Sequence, residues 1–351
     1  MKIAVVGDII VSSGLLAEAA KSLNIDDEPE IKEIVWKADD RKDFQKKALN
    51  IETKGPEAEE IPEELYTEID DADILLVHFC PVPKKLIERA QNLKLIGTCR
   101  GGLEHVDVEA ATEKNIPVVH VIRNAEATSD FAVGLMFAET RNIARAHAAM
   151  KQGIWRKEYV NSAYTTAMRE MTVGIIGLGH IGRLVAEKVA GIGMKIIAYD
   201  PFVTQDAMNA KGIAVTMKEK EEVFREADII SLHLRVTPET ENSINEEVIS
   251  LMKPTAYLIN TSRAKVLDKG AFIEALENKR IGGAALDVYW NEPLDKDDPL
   301  LKLDNITLTP HNAGNVVDAL PKSPKLLADT INRFWETKTS DMIVNLNEIT
   351  F

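Results

Sequence analysis

The stretch that decides the fold is TVGIIGLGHIGRLVAEKVAGIGMKIIAYD, residues 172–200. An apolar run leads into Gly177, Gly179 and Gly182, which form the pattern G-x-G-x-x-G, and an amphipathic segment follows them. A second apolar run, KIIAY, ends at Asp200. A strand, a glycine-rich turn, a helix and a second strand in this order predict a βαβ unit that binds a dinucleotide.

Each part of this motif has a physical reason. Gly177 permits the tight turn, Gly179 lets backbone N–H groups approach a pyrophosphate, and Gly182 lets the helix pack close to the strand. The positive end of the helix favours the anion. Asp200 can accept hydrogen bonds from both ribose hydroxyls, and its charge would repel a 2′-phosphate, so the motif favours NAD over NADP. The alternative is a glycine-rich turn that binds no ligand.

Similar short apolar runs alternate with longer amphipathic segments along the whole chain. Runs that are rich in Val, Ile and Leu and continuous, not alternating, are typical of parallel strands covered on both faces. The sequence therefore predicts an α/β protein built on parallel sheets with helices on both sides, and 351 residues suggest two domains. The predicted strands are residues 3–6, 73–78, 94–97, 117–121, 172–176, 195–199, 228–233, 256–260, 283–287 and 306–309. A long helix is predicted over 124–152.

Composition excludes several classes of function. The net charge of −14 argues against nucleic acid or an anionic membrane as the main partner. No run approaches the roughly 18 apolar residues that a membrane-spanning helix needs. The two cysteines, Cys80 and Cys99, have no metal-ligand spacing, so we expect no metal and a reducing, cytoplasmic location.

Polar side chains follow three of the predicted strands that come after the glycine motif. They are Arg263, then Asp287 with Glu292, and finally His311. Ligands bind at the carboxyl ends of parallel strands. An arginine can hold a carboxylate bidentately, a histidine can exchange a proton near neutral pH, and a neighbouring carboxylate can orient the imidazole. A nicotinamide enzyme that acts on a 2-hydroxy acid needs this set.

Each of these residues also has an ordinary structural explanation. Arg263 could form a surface salt bridge, Glu292 could begin a loop, and His311 could belong to a turn. Their joint position after a dinucleotide motif favours the catalytic interpretation.

The sequence resembles the D-isomer-specific 2-hydroxyacid dehydrogenases, which include phosphoglycerate and D-lactate dehydrogenases. The resemblance covers most of the chain, in family order. It rests on GLGHIG, YDP (199–201), LHLRVTPET (232–240), LINTSRAKVLD (258–268), GGAALDVYWNEPL (282–294) and TPHNAG (309–314).

The resemblance implies a flavodoxin-like substrate domain, residues 1–123 plus 313–351, with a Rossmann NAD-binding domain inserted at 124–312. It gives Arg263 the role of holding the substrate carboxylate, Glu292 the role of pairing with histidine, and His311 the acid/base role. It implies a homodimer formed through the NAD-binding domains. Residues expected at the cofactor are Gly177, Gly179, His180, Ile181, Gly182, Asp200, His233, Arg235, Thr237, Thr261 and Asp287, the last at the nicotinamide carboxamide.

One loop departs from the family pattern. Residues 97–107 read GTCRGGLEHVD, with threonine where the family commonly has its arginine and with Arg100 two positions later. Arg100, Gly101 and Gly102 are expected to bind the substrate, and a second cation would suit a phosphorylated or sugar-derived acid. A structural salt bridge of Arg100 is the alternative.

The expected function is NAD-dependent interconversion of a D-2-hydroxy acid and its 2-keto acid. Two alternatives stay open: an NAD(H)-sensing corepressor-like protein of the same fold, and a dehydrogenase for another hydride donor such as formate. Glu292 argues against formate, because formate enzymes of the family usually replace that glutamate.

Overall fold

A computed structural model of the chain describes residues 1–25 and 28–350. The chain divides into two compact units, one of residues 1–123 with 316–351 and one of residues 124–315. We call them the first unit and the second unit. The second unit is thus inserted between two segments of the first.

The strands lie where the continuous apolar runs place them. All ten predicted strands are confirmed, and two more are present. In chain order they are β1 Lys2–Gly7, β2 Glu30–Val35, β3 Ile74–Val77, β4 Leu95–Thr98, β5 Val118–His120, β6 Thr172–Ile176, β7 Lys195–Tyr199, β8 Thr216–Met217, β9 Ile229–Leu232, β10 Tyr257–Asn260, β11 Gly283–Leu286 and β12 Ile306–Leu308.

The helices fill the intervals between the strands. In chain order they are α1 Ser13–Ala20, α2 Arg41–Lys54, α3 Glu63–Glu68, α4 Lys84–Arg89, α5 Val108–Glu113, α6 Ala125–Thr140, α7 Ile143–Lys151, α8 His180–Ile192, α9 Gln205–Ala210, α10 Lys220–Glu226, α11 Glu246–Ile249, α12 Lys269–Glu277 and α13 Ala319–Thr337. Short 3₁₀ turns lie at Met168–Glu170, Ala264–Val266 and Pro299–Lys302.

The first unit contains a five-stranded parallel sheet of order β2-β1-β3-β4-β5. This is the flavodoxin-like order, in which the direction of winding reverses between β1 and β3. One face packs on α2 to α5, and the other packs on α1 and α13. Helix α13, near the end of the chain, covers part of the second face. Its Leu327 packs against Gly97 so closely that a Cβ atom on Gly97 would lie 3.2 Å from the Leu327 side chain.

The second unit contains a seven-stranded parallel sheet of order β12-β11-β10-β9-β6-β7-β8. Read from β8, this is the Rossmann order 3-2-1-4-5-6 with one added strand. One face is covered by α6 and α8, and the other by α10, α11 and α12. The predicted fold class, two doubly wound α/β domains, is confirmed.

The prediction of one helix over 124–152 is wrong. The helix breaks between α6 and α7 at Asn142, whose backbone is left-handed with φ 56°. The side-chain amide of Asn142 donates to Asn161 Oδ1 at 2.6 Å, and its oxygen accepts from Arg145 Nη1 at 3.2 Å. Asparagine tolerates the left-handed region better than most residues, and these buried contacts hold it there.

Candidate active site

The glycine turn after β6 is shaped by contacts that exclude larger side chains. Gly177 has φ 94°, and a Cβ atom there would lie 2.6 Å from the carbonyl oxygen of His233. A Cβ atom on Gly182 would lie 2.0 Å from the carbonyl oxygen of Gly177. These two positions therefore require glycine, and α8 begins directly against the turn.

The same turn leaves room for an anion. Gly179 is exposed, and a Cβ atom there would meet no atom within 4 Å among the described residues. Gly179 caps α8 without a side-chain hydrogen bond, and α8 opens with His180 and Ile181. The first N–H groups of a helix have no partner within the helix, so they can bind a pyrophosphate here.

Asp200, directly after β7, is hydrogen-bonded to the backbone of the glycine turn. Its Oδ2 accepts from the N–H of Leu178 at 2.8 Å, and its Oδ1 accepts from the N–H of Phe202 at 2.9 Å. Each carboxylate oxygen keeps a second lone pair for a ribose hydroxyl. The sequence did not foresee this bracing contact.

The loop after β9 carries three of the predicted cofactor residues. Burial lowers the pKa of His233 to about 4, so its ring is neutral near pH 7, and its Nε2 lies 2.9 Å from Ser231 Oγ. Arg235 and Thr237 are exposed. The Thr237 hydroxyl donates to Glu239 at 2.7 Å, which ties the loop to itself. A neutral His233 adds no positive charge at this edge.

Thr261, directly after β10, carries a buried hydroxyl group. Its hydroxyl oxygen is buried and has no hydrogen-bond partner in residues 1–25 and 28–350. Buried hydroxyls are normally paired. An unpaired buried hydroxyl and the open turn at Gly179 are both compatible with a bound dinucleotide in the second unit.

Arg263 lies two residues after Thr261, in the segment that follows β10. Its side chain is exposed, with Nη1 donating to the carbonyl oxygen of Ser262 at 2.7 Å. Asn260, the last residue of β10, fixes the backbone by donating to the Arg263 carbonyl oxygen at 2.9 Å. No carboxylate in the described chain forms an ion pair with this guanidinium within 4.0 Å, so its fork is available for a substrate carboxylate.

His311 and Glu292 form a direct pair. His311 Nδ1 lies 2.6 Å from Glu292 Oε2, and the other carboxylate oxygen accepts from the N–H of Tyr289 at 2.9 Å. Both side chains are partly open to solvent. The arrangement fixes one ring nitrogen of His311 and leaves the other, Nε2, to face a ligand.

The electrostatics of Glu292 suit this pairing. Partial burial acts to raise the pKa of Glu292. The hydrogen bonds from His311 and Tyr289 and the positive charges of His311 and Arg263 together outweigh burial, so the pKa lies below its ordinary value of 4.5. Glu292 is therefore a carboxylate near neutral pH, as a partner for an imidazolium should be.

Asp287 is fully buried beneath the loop that carries His311. Its Oδ1 accepts from Thr309 Oγ1 at 2.6 Å and from the N–H of Asn312 at 3.1 Å, and its Oδ2 accepts from the N–H of Ala313 at 2.8 Å. His311 has a left-handed backbone with φ 50°, which is strained for histidine. The three bonds to Asp287 hold the loop in this conformation.

A cavity of about 310 Å³ adjoins the pair on one side. Besides His311 and Glu292, it is lined by Tyr289, Leu294 and Leu308. The wall of this cavity beside the pair is therefore largely apolar.

Arg100, Gly101 and Gly102 belong to the first unit, whereas the residues above belong to the second. Arg100 is 8% exposed and donates to Glu52 at 2.9 Å, with Glu104 at 3.7 Å. Its guanidinium lies 3.5 Å from the centre of the Phe79 ring. Burial lowers the pKa of Arg100. Arg100 thus makes the salt bridge that the sequence left as an alternative.

Comparison with known proteins identifies the family. Residues 133–313, just over half of the chain, match the sequence model described as "D-isomer specific 2-hydroxyacid dehydrogenase, NAD binding domain". The chain belongs to the D-isomer specific 2-hydroxyacid dehydrogenase family. The predicted family and the predicted cofactor, NAD, are confirmed.

Relatives of the chain within this 2-hydroxyacid dehydrogenase family are named for different enzyme activities. The chain is 37% identical to a D-3-phosphoglycerate dehydrogenase of Methanocaldococcus jannaschii, over 82% of this chain and 54% of that one. It is 35% identical to a glyoxylate reductase of Thermofilum pendens, over 81% of this chain and 84% of that one. The chain therefore spans about half the length of the phosphoglycerate dehydrogenase.

A solved structure shares the fold. It is the NAD-complexed D-isomer specific 2-hydroxyacid dehydrogenase from Lactobacillus delbrueckii ssp. bulgaricus, with a TM-score of 0.69 and 23% identity, covering 98% of this chain and 100% of that one.

Two features are absent from the part of the chain that the structure describes. Within residues 1–25 and 28–350, no helix is long and apolar enough to cross a membrane. No group of three or more His, Cys, Asp or Glu side chains in that same part of the chain could hold a metal ion.

Proposed function

We propose that the protein is an NAD-dependent dehydrogenase that interconverts a D-2-hydroxy acid and its 2-keto acid. The observation that carries the proposal is the 2.6 Å contact between His311 and Glu292 in an NAD-binding domain. A proton donor held by a carboxylate is what the reduction of a keto group requires.

Bound NAD supplies the hydride chemistry, and the chain does the rest. Arg263 holds the substrate carboxylate through its exposed guanidinium fork. His311 Nε2 gives a proton to the keto oxygen during reduction and takes it back during oxidation. Glu292 accepts from Nδ1 throughout and stabilises the protonated ring.

The cofactor preference follows from Asp200. In the family, a carboxylate at the end of this strand binds the adenosine ribose hydroxyls, and that of Asp200 would repel a 2′-phosphate. We expect the Michaelis constant for NADH to be at least ~10-fold lower than that for NADPH, because the Asp200 carboxylate and a 2′-phosphate would repel each other at close range. Equal constants for the two cofactors would contradict this role.

Mutation of the pair tests the activity. In an NADH-consumption assay over glyoxylate, pyruvate, hydroxypyruvate and phosphohydroxypyruvate, His311→Ala should lower kcat by at least ~100-fold. Glu277→Ala, at the exposed end of α12, is the control and should leave kcat unchanged. Arg263→Ala should raise KM for the acid and also lower kcat.

The same assay separates the proposal from an NAD(H)-sensing protein. A sensor would bind NADH tightly, as seen by fluorescence, yet consume none of it with any keto acid of the panel. Turnover that survives in His311→Ala would remove the assigned proton donor.

We further propose a homodimer formed through the second unit. Its helix α7 and the residues after it expose Ile143, Met150, Ile154 and Trp155, the last at 75%. Large apolar side chains clustered on a surface are typical of an interface. Light scattering should give twice the 38.9 kDa chain mass, and Trp155→Glu should shift the particle towards the monomer.

The proposed location is the cytoplasm. Cys80 and Cys99 are both free and buried, which suits a reducing compartment. Fractionation of cells followed by immunoblotting tests this location.

A further inference from the structure

A polar cluster lies at the carboxyl ends of β1, β3 and β4 in the first unit. Three of its nitrogens are buried and have no hydrogen-bond partner among the described residues: His78 Nε2, Arg100 Nη1 and His105 Nδ1. The side chains are 2%, 8% and 0% exposed, respectively. Buried polar groups in proteins are nearly always paired, so three orphans together indicate a partner outside the chain.

The ring of His78 is fixed by Asp8, the residue that follows β1. His78 Nδ1 donates to Asp8 Oδ2 at 2.7 Å, and the N–H of Phe79 donates to the same oxygen at 3.2 Å. Two further backbone N–H groups bind Asp8 Oδ1. This contact leaves Nε2 as the ring nitrogen of His78 that has no partner among residues 1–25 and 28–350.

Thr98 sets the orientation of His105 in the same way. Thr98 Oγ1 lies 3.3 Å from the carbonyl oxygen of His78 and 2.8 Å from His105 Nε2. A carbonyl oxygen can only accept, so the single hydroxyl proton goes to it and His105 Nε2–H donates to Thr98. Burial, followed by the charges of Arg100 and His78, lowers the pKa of His105. The His105 ring is therefore neutral near pH 7, and its Nδ1 is a hydrogen-bond acceptor.

The charge of Arg100 is already offset. Glu52 accepts from its Nη2 at 2.9 Å, and Glu104 lies 3.7 Å from the same nitrogen. Nη1 thus remains a donor beside two carboxylates. A phosphate or carboxylate would meet these two carboxylates and the acceptor nitrogen of His105. A hydroxyl group can accept from Arg100 and donate to His105 at once.

We infer that this cluster binds an uncharged, hydroxyl-bearing group of a small molecule, and not a phosphate or a second carboxylate. The cluster lies where the winding of the sheet reverses between β1 and β3, which is the usual ligand position in such sheets. The hydroxyl group has two possible sources. One is the acid substrate itself, in which case the inference rests on the proposed function, and the other is a free polyol.

Matched substrates test the first source in the wild-type protein. Hydroxypyruvate differs from pyruvate by one hydroxyl group, and phosphohydroxypyruvate replaces that hydroxyl by a phosphate. The kcat/KM for hydroxypyruvate should exceed both others by at least ~10-fold, because a site built to bond a hydroxyl rejects analogues that leave its groups unpaired. Equal values, or a preference for the phosphorylated acid, would overturn the inference.

Two variants locate the effect without removing the internal contacts. His78→Asn keeps an amide near Nδ1 for Asp8 but lacks Nε2, and His105→Gln keeps an amide near Nε2 for Thr98 but lacks Nδ1. Each should reduce the hydroxypyruvate-to-pyruvate ratio towards one, whereas Glu88→Gln, on the exposed face of α4, should keep the wild-type ratio. An unchanged ratio in both folded variants counts against the assignment. If neither variant folds, the wild-type ratio decides.

A spectroscopic arm separates the two sources. Histidine-ring ¹⁵N spectra of the full chain are recorded with erythritol and no acid. Saturable shifts of His78 and His105 would assign the cluster to a free polyol. No shift with erythritol and no discrimination among the acids would overturn the inference, even if the protein reduces keto acids. Absence of all NADH consumption would refute the proposed function alone, and the erythritol result would then stand by itself.

Discussion

Asp287→Asn is the sharpest test of how the second unit holds its proton donor. The carboxylate is fully buried and accepts three hydrogen bonds from residues 309–313. Asparagine has the same shape and one remaining oxygen. If that oxygen keeps the bonds to Thr309 and Asn312, the new amide group faces the N–H of Ala313, donor against donor.

The magnitude follows from these contacts. One charge-assisted bond, at about 1.5–3 kcal/mol, is lost, and a buried N–H without a partner adds about 1–3 kcal/mol. Relief from burying a charge offsets part of this, so we expect a net loss of about 2–4 kcal/mol. For a unit of this size that lowers Tm by roughly 5–15 °C. Because His311 lies in the loop, a shift of about 1 Å should lower kcat by up to ~100-fold.

Calorimetry and steady-state NADH oxidation measure the two effects. Asp268→Asn is the matched control. Its carboxylate caps α12 by accepting from the N–H of Ala271 at 2.9 Å, and asparagine caps as well as aspartate. The control should change Tm by only a degree or two. An unchanged Tm and kcat in Asp287→Asn would refute the bracing role, and a lower kcat at unchanged Tm would assign Asp287 to the cofactor instead.

Three further predictions concern the turn and the pair. Gly182→Ala places a Cβ atom 2.0 Å from the Gly177 oxygen, so NADH affinity by fluorescence titration should fall at least ~10-fold, whereas Gly191→Ala, with open space, should preserve it. Glu292→Gln should lower kcat about 10-fold by weakening one charge-assisted bond, with Tm unchanged because the pair with His311 is partly exposed. The pKa of Glu292 lies below 4.5, so Glu292 should stay ionised and paired with His311 as the pH falls through 4.5 and lose this pairing only at lower pH. The pH profile of kcat/KM should therefore decline over that acidic range. The Glu292→Gln variant should lack this decline.

Continuous apolar runs made the inner strands predictable. Two strands at sheet edges, β2 and β8, were not predicted because they lack a continuous apolar run, whereas the edge strands β5 and β12 have one. β2 reads EIKEIV and buries only Ile34, so it has no apolar run, and β8 has two residues. An edge strand is covered less than a central one, so its sequence carries a weaker signal.

The sequence predicted which polar residues follow the strands, but it did not predict which residues distant in the chain contact one another. Arg263, Asp287 and His311 stand directly after β10, β11 and β12 or within a few residues of them. By contrast, Asp8 and His78 are 70 residues apart, and Arg100 meets Glu52 from 48 residues away. No spacing rule links such pairs. An aspartate directly after the first strand was the one available signal, since polar residues there often face a ligand.

The insertion of the second unit has a consequence for synthesis on the ribosome. Val118 of β5 donates its N–H to Asn345, His120 donates its N–H to Met342, and α13 covers one face of the sheet. When residue 123 has been made, these parts do not yet exist, and about 190 residues must follow first. At roughly 5–20 residues per second, the part of this apolar sheet face that α1 does not cover waits on the order of ten seconds or more for α13. The contiguous second unit can complete itself before the first, so a nascent chain of this protein should engage chaperones at its beginning and not at its middle.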